Sequence, residues 1–128
     1  LKALTEMTAS GSWVVVGEPY WRREPAAEYL EVIGEERDSY GTHYENVNIG
    51  QGLGLKLVYT VVSNRDDWDM YEGLQWYAAE QWASEHPDDP DVEEVLRRVR
   101  DNKENYLRWG RETFGWAIYV FKKEGVKS

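Results

Sequence analysis

The run Trp13-Val14-Val15-Val16 constrains the fold more than any other stretch of this 128-residue chain. Its apolar residues are consecutive, whereas a strand with one wet face alternates apolar and polar side chains. A Val-rich run of this kind, set between Gly11 and Gly17, is the pattern of a strand covered on both faces, as in sheets with helices above and below. The turn Gly17-Glu18-Pro19 is expected to end it, because Pro19 cannot donate a hydrogen bond inside a sheet. Such a strand needs partners along both edges, yet only residues 55–62 and 116–122 also read as strands. At least one apolar edge should therefore be bare, and strand 13–17 is the expected seam of a homodimer or exchanged dimer.

Helical patterns fill the intervals. Leu1, Leu4 and Met7 keep helical spacing with no cap and no initiating Met before them, so the chain is expected to enter partway through a helix. Residues 26–33 follow Pro25 and stop at Gly34, burying Ala26, Tyr29, Leu30 and Ile33. Thr42-His43-Tyr44-Glu45 matches a capping box opening a short helix that ends near Gly52 or Gly54. The strand 55–62 leaves its inward set open, either Leu55, Leu57, Tyr59 and Val61 or the alternating set with Val58 and Val62. A long helix then starts within 63–67 and stops at His86-Pro87, its stripe marked by Trp68, Tyr71, Leu74/Gln75, Ala78/Ala79 and Trp82. The next helix opens at Asp91, carries Val92, Val95, Leu96, Val99, Tyr106 and Leu107 inward, and ends at Gly115. Residues 124–128 form a polar tail. No linker is long enough to divide 1–128 into two domains.

Composition narrows the function. Twenty-four acids against fifteen bases give a net charge of −9, which argues against a nucleic-acid partner, since phosphate binding relies on clustered Lys and Arg. No apolar run approaches the roughly 20 residues of a membrane-spanning helix, and no signal peptide opens the chain, so a cytoplasmic protein without a membrane partner is expected. The absence of Cys removes thiolate metal sites and Cys nucleophiles. Two isolated histidines, His43 and His86, make no metal site. Seven Trp and nine Tyr stand beside two Phe, a choice of rings that suits surfaces part apolar and part wet.

Several segments together resemble a bacterial and archaeal group of class I S-adenosylmethionine-dependent methyltransferases. They are Gly17-Glu18-Pro19-Tyr20-Trp21, the strand from Gly54 to Tyr59, Asp66-Asp67-Trp68-Asp69 with Tyr71-Glu72-Gly73, His86-Pro87-Asp88-Asp89-Pro90, and Tyr106-Leu107-Arg108-Trp109-Gly110-Arg111. The resemblance covers nearly all of this chain but only the C-terminal half of that family. It implies an α/β fold, the C-terminal part of a doubly wound Rossmann-like sheet with helices on both faces. Residues 13–17, 55–63 and 116–122 would be strands five, six and seven, the last antiparallel and lying between the other two. It also implies methyl transfer from S-adenosylmethionine to a small-molecule acceptor, with this chain the substrate-side part, inactive alone and without tight cofactor binding. One departure is Ala9-Ser10-Gly11-Ser12, where the family usually has Pro-Gly-Gly. Gly50-Gln51-Gly52-Leu53-Gly54 mimics a nucleotide loop but ends a helix and precedes a strand, the reverse of the fingerprint context, so it is read as a turn.

Ligands in such sheets bind beyond the carboxyl ends of the parallel strands. On the resemblance, Gly17 would let backbone approach the cofactor, Glu18 would serve as base or orienting carboxylate, and Tyr20 and Trp21 would wall the substrate pocket. Glu18 paired with Arg22 or Arg23 is the structural alternative. Trp68, Tyr71, Glu72 and Trp76, close together at helical spacing, form a second candidate substrate wall suited to an apolar or cationic molecule. From a different class, the chain reads as a free-standing aromatic-lined module that binds a ligand or protein and self-associates through a sheet edge.

Overall fold

The computed structural model describes residues 1–124; the end of the expected polar tail, 125–128, lies outside them. Three strands form one sheet in the order β1-β3-β2, where β1 is Trp13–Trp21, β2 is Leu55–Val62 and β3 is Phe114–Lys123. β3 runs antiparallel to both neighbours, so β1 and β2 are parallel to each other. This is the arrangement the resemblance implies for strands five, six and seven. The helices are α1 (Lys2–Met7), α2 (Ala27–Ile33), α3 (His43–Gly52), α4 (Arg65–Glu85) and α5 (Val92–Asn105). A π-helical segment, Tyr106–Gly110, and one α turn, Arg111–Thr113, carry the chain from α5 into β3.

β1 does not stop at Gly17 but runs to Trp21, through Pro19. Its hydrogen bonds explain why. The Trp21 N–H donates to the Gly41 carbonyl at 2.8 Å, away from β3. N–H groups alternate sides along a strand, so two residues earlier the missing N–H of Pro19 also falls on the outer edge and costs no ladder bond. Gly115 likewise does not end a helix. It lies within β3 opposite Tyr20, and any Cβ there would overlap the Tyr20 ring.

The core sits on one face of the sheet. Val14, Tyr20, Leu55, Ala117, Tyr119 and Phe121 form it, with Leu1, Val16, Val47 and Leu57 packed around them. α3 covers this face, held in place by its capping box: Thr42 Oγ1 accepts from the Glu45 N–H at 3.1 Å and Glu45 accepts from the Thr42 N–H. At Gly50 a Cβ would come within 2.5 Å of the Phe121 ring, so glycine lets the helix backbone rest directly on the sheet. Polar contacts also tie α3 to this face. His43 Nδ1 lies 2.8 Å from the Tyr119 hydroxyl, and Asn46 Nδ2 donates to that hydroxyl and to the Pro19 carbonyl.

β2 resolves the open question of its inward set with a β-bulge at Val58. Leu57 pairs with Phe121 and Thr60 with Tyr119, so the inward set is Leu55, Leu57, Thr60 and Val62, while Tyr59 and Val61 turn to the opposite face. That face carries Trp13 and Val15 of β1 and Ile118 and Val120 of β3. Trp13 and Val15 are about 60% exposed, whereas Val14 between them is 2% exposed.

α4 is capped by Asn64, whose side chain accepts from the Asp67 N–H at 2.8 Å while Asp67 returns the bond. Its buried residues are Ala79 and Ala83, and its partly buried ones are Trp68, Asp69, Glu72, Gly73, Trp76 and Trp82. The inward stripe is thus turned about one residue from the expected one, leaving Tyr71, Leu74 and Ala78 exposed. α5 folds back on α4 after the Pro87–Pro90 turn, and Arg100 grips Glu80 through two bonds of 2.8 and 2.9 Å. No helix among the described residues is long and apolar enough to cross a membrane.

Candidate functional site

Two adjoining cavities open where β1 and β2 end and β3 begins. The first, about 370 Å³, lies between α2, α4 and the π-helical segment. Tyr29, Tyr40, Trp68, Tyr71, Tyr106 and Phe114 supply its rings, and Glu35 and Glu72 its charges. The second, about 540 Å³, is lined by Ser63, Asp67, Trp68, Tyr71, Phe114 and Trp116. Trp68, Tyr71 and Phe114 are common to both, so α4 and the start of β3 together present one aromatic partition between the cavities. The Trp68 ring meets Tyr71 and Phe114 edge-on at centroid distances of 6.3 and 5.8 Å, a geometry favoured by ring quadrupoles.

A polar clamp fixes the partition. Arg111 donates to both Asp69 oxygens at 2.9 to 3.2 Å, and the Tyr106 hydroxyl donates to Asp69 Oδ1 at 2.7 Å. Arg111 and Tyr106 together hold the Asp69 carboxyl below its ordinary range. Burial and the Asp69 charge push the Tyr106 phenol far up, so it stays protonated and donating. The π-helical turn makes this possible, since it shifts the helical phase after Asn105 and turns Tyr106 and Gly110 inward. At Gly110 a Cβ would come within 3.1 Å of the Tyr29 hydroxyl.

Glu72, one turn after Asp69, differs from it. It makes no hydrogen bond or ion pair among the described residues, and burial raises its pKa. Its charge is felt by Tyr29, whose pKa burial and then Glu72 push up to about 12, and by Tyr106. The carboxylate therefore sits near both phenols, inside the aromatic wall.

The structure brings together three of the residues singled out from sequence: Trp68, Tyr71 and Glu72 all line the first cavity. Trp76 stands behind Tyr106, with ring centroids 5.8 Å apart. Tyr20 and Trp21 line neither cavity. Tyr20 is buried against Gly115 and His43, and Trp21 is 2% exposed with its indole N–H donating to the Arg37 carbonyl at 2.8 Å. Glu18 lies mid-strand opposite Ala117, on the α3 face, and pairs with neither Arg22 nor Arg23. Arg22 donates to the Arg111 carbonyl, and Arg23 faces Glu112. Gly17 also lies mid-strand, where a Cβ would come within 2.5 Å of the Trp116 ring. Missed from sequence were Tyr29, Tyr40 and the Asp69–Tyr106–Arg111 clamp. One acid on α4 facing a Tyr and an Arg that lie five residues apart in a later segment carries no short-range signal.

The topology and cavity position can be compared with known proteins. No protein-family model matches the chain. It is 30% identical over 119 residues to the uncharacterized protein YjhP of Escherichia coli K-12, covering 91% of this chain and 48% of that one. The X-ray structure of YjhP superposes with a TM-score of 0.84 at 28% identity, covering 91% of this chain and 52% of YjhP. A methyltransferase from Geobacter sulfurreducens, solved with S-adenosyl-L-homocysteine, superposes with a TM-score of 0.81 at 25% identity over 91% of this chain and 47% of its own. This chain has the C-terminal half of the S-adenosylmethionine-dependent methyltransferase fold. It spans about half the length of these relatives. In methyltransferase terms, β1, β3 and β2 are strands five, seven and six, and the two cavities lie at the ligand-binding end of the sheet.

Gly54, at φ 81°, ends the turn between α3 and β2, on the way into a strand rather than out of one. Trp116 fills the space beside Gly17.

Proposed function

We propose that this chain is the acceptor-side portion of an enzyme that moves the methyl group of S-adenosylmethionine to a small molecule. The observation that carries the reading is the double cavity divided by Trp68, Tyr71 and Phe114 at the carboxyl ends of β1 and β2. It stands on a fold that in the Geobacter sulfurreducens methyltransferase accompanies bound S-adenosyl-L-homocysteine. The acceptor would enter the cavity holding Glu72, where the rings exclude water and fix its orientation. Trp68, Tyr71 and Glu72 are the residues proposed to contact it, and Glu72, not Glu18, is the carboxylate that faces it. Cofactor binding would fall to elements beyond the matched half. Titration calorimetry of the isolated chain should show weak or undetectable S-adenosylmethionine binding. The natural gene product should transfer label from methyl-labelled S-adenosylmethionine to small molecules. Sub-micromolar binding by the 128-residue chain would overturn the division of labour, and a gene product that neither binds the cofactor nor transfers its methyl group would overturn the enzyme reading.

A second reading is favoured by the sheet edge. β1 has β3 on one side and no strand on the other among the described residues. Its outer groups between Trp13 and Gly17 are free to pair with a second copy. Sedimentation over a concentration series tests this, and a strict monomer at high concentration would exclude it.

A further inference from the structure

We propose that the cavity between α2, α4 and the π-helical segment is built for a small organic ammonium ion, held against Glu72 by the rings of Tyr29, Trp68, Tyr71 and Tyr106. As an acceptor class this rests on the methyl-transfer reading above, and the ion would first give up a proton so that the nitrogen lone pair can take the methyl group as its bond to sulfur breaks; as a binding site it stands on the cavity alone. None of the residues lining the cavity is a Lys, Arg or His, while two are glutamates. Glu35 has a local partner, the Tyr40 hydroxyl at 3.5 Å. Glu72 has none among the described residues, and the arginines that reach α4 from other elements are engaged by its other acids. Arg111 is committed to both oxygens of Asp69, and Arg100 to both oxygens of Glu80. Asp69 and Glu80, on the same helix, are thus matched from within the chain, and Glu72 is left facing the cavity.

Three classes of occupant can be weighed. An anion would meet two carboxylates and no cation. A neutral apolar molecule would fill the aromatic wall but seal an unpaired carboxylate beneath it, which is unfavourable. An ammonium ion satisfies both elements at once: the carboxylate gains a counter-charge, and the ring faces attract the same cation, an effect that grows as water is excluded. A volume of about 370 Å³ suits a small molecule.

The experiment compares benzylamine with benzyl alcohol, which have nearly the same shape and differ in charge, by titration calorimetry and nitrogen-15 NMR on the 128-residue chain without any methyl donor. Benzylamine should bind about tenfold tighter than the alcohol, with the Trp68 indole N–H signal among those that move. Glu72→Gln should reduce the preference to less than about twofold, while Glu85→Gln, the same charge change at the exposed end of α4, should keep it. Near-UV circular dichroism establishes that each variant is folded; should Glu72→Gln not fold, the comparison of amine and alcohol on the unmodified chain decides. Equal affinities, no benzylamine binding at millimolar concentration, or a preference that survives in folded Glu72→Gln would each overturn the proposal. Since no methyl donor is present, such a failure leaves the methyl-transfer reading standing. Conversely, amine binding in a gene product that transfers no methyl group would retain the cation site and remove the enzyme.

Discussion

The two faces of the sheet carry nearly equal apolar content and have opposite surroundings. On one, Val14, Tyr119 and Phe121 lie beneath α3, each 2% exposed or less. On the other, Trp13, Val15, Tyr59, Val61 and Ile118 belong to the same three strands and are all more than a third exposed. Since hydrophobic stabilisation follows area removed from water, only the first set contributes fully to the stability of this chain. Apolar composition alone therefore does not locate a core; the covering element does. A patch as continuous as the second is the kind of surface that other protein covers.

The contrast can be tested by substitution. Phe121→Ala, on the covered face, should cost about 3–5 kcal/mol by urea denaturation, because it removes a wholly buried ring and leaves a cavity. Gly50→Ala adds a methyl group where the Phe121 ring already lies, so the usual helix-propensity gain should be reversed into a loss of about 1–3 kcal/mol. On the open face, Ile118→Thr should change stability by no more than about 0.5–1 kcal/mol, the ordinary range for surface positions. An Ile118→Thr loss as large as that of Phe121→Ala would mean that both faces are covered and would break the comparison. Val15→Pro sharpens it at the edge. Its N–H has the same outward parity as Pro19, so the fold should tolerate it, while any concentration-dependent dimer seen by sedimentation should disappear.

A pH experiment reads the clamp rather than the sheet. Arg111 and Tyr106 lower the Asp69 pKa in the folded state. A lowered carboxyl pKa gives stability that is present above the unfolded value and lost as pH falls through the folded one. Urea midpoints of the unmodified chain and Asp69→Asn should thus differ at pH 7 and converge as pH falls below about 4.

Much of the frame was legible in the chain. Capping chemistry announced α3, turn and proline signals bounded α4, and β2 was read with its observed limits. Errors arose where a neighbour in space overruled a local rule. Pro19 reads as a terminator because a strand interior needs its N–H; at an outer edge that demand vanishes. Neither parity suited β2 because one residue, Val58, changes the parity midway. Tyr71 belonged to the expected inward stripe of α4 and Glu72 did not, yet Tyr71 is exposed and Glu72 partly buried, because a cavity has replaced dry packing there. Of the proposed site, the α4 residues Trp68, Tyr71 and Glu72 were visible from spacing. Tyr20 and Trp21 went inward because β1 continues four residues past Gly17 and carries them under α3 and against α2.

The π-helical turn after α5 has a consequence for how this stretch tolerates change. In a regular helix each residue advances the direction of the side chains by about 100°. Between Asn105 and Arg111 the number of residues therefore sets where the guanidinium points, while Leu107 itself is exposed. Exchanging Leu107 for another helix former should be silent, but excising it should swing Arg111 off Asp69. In that stretch the count of residues is a stricter requirement than their identity.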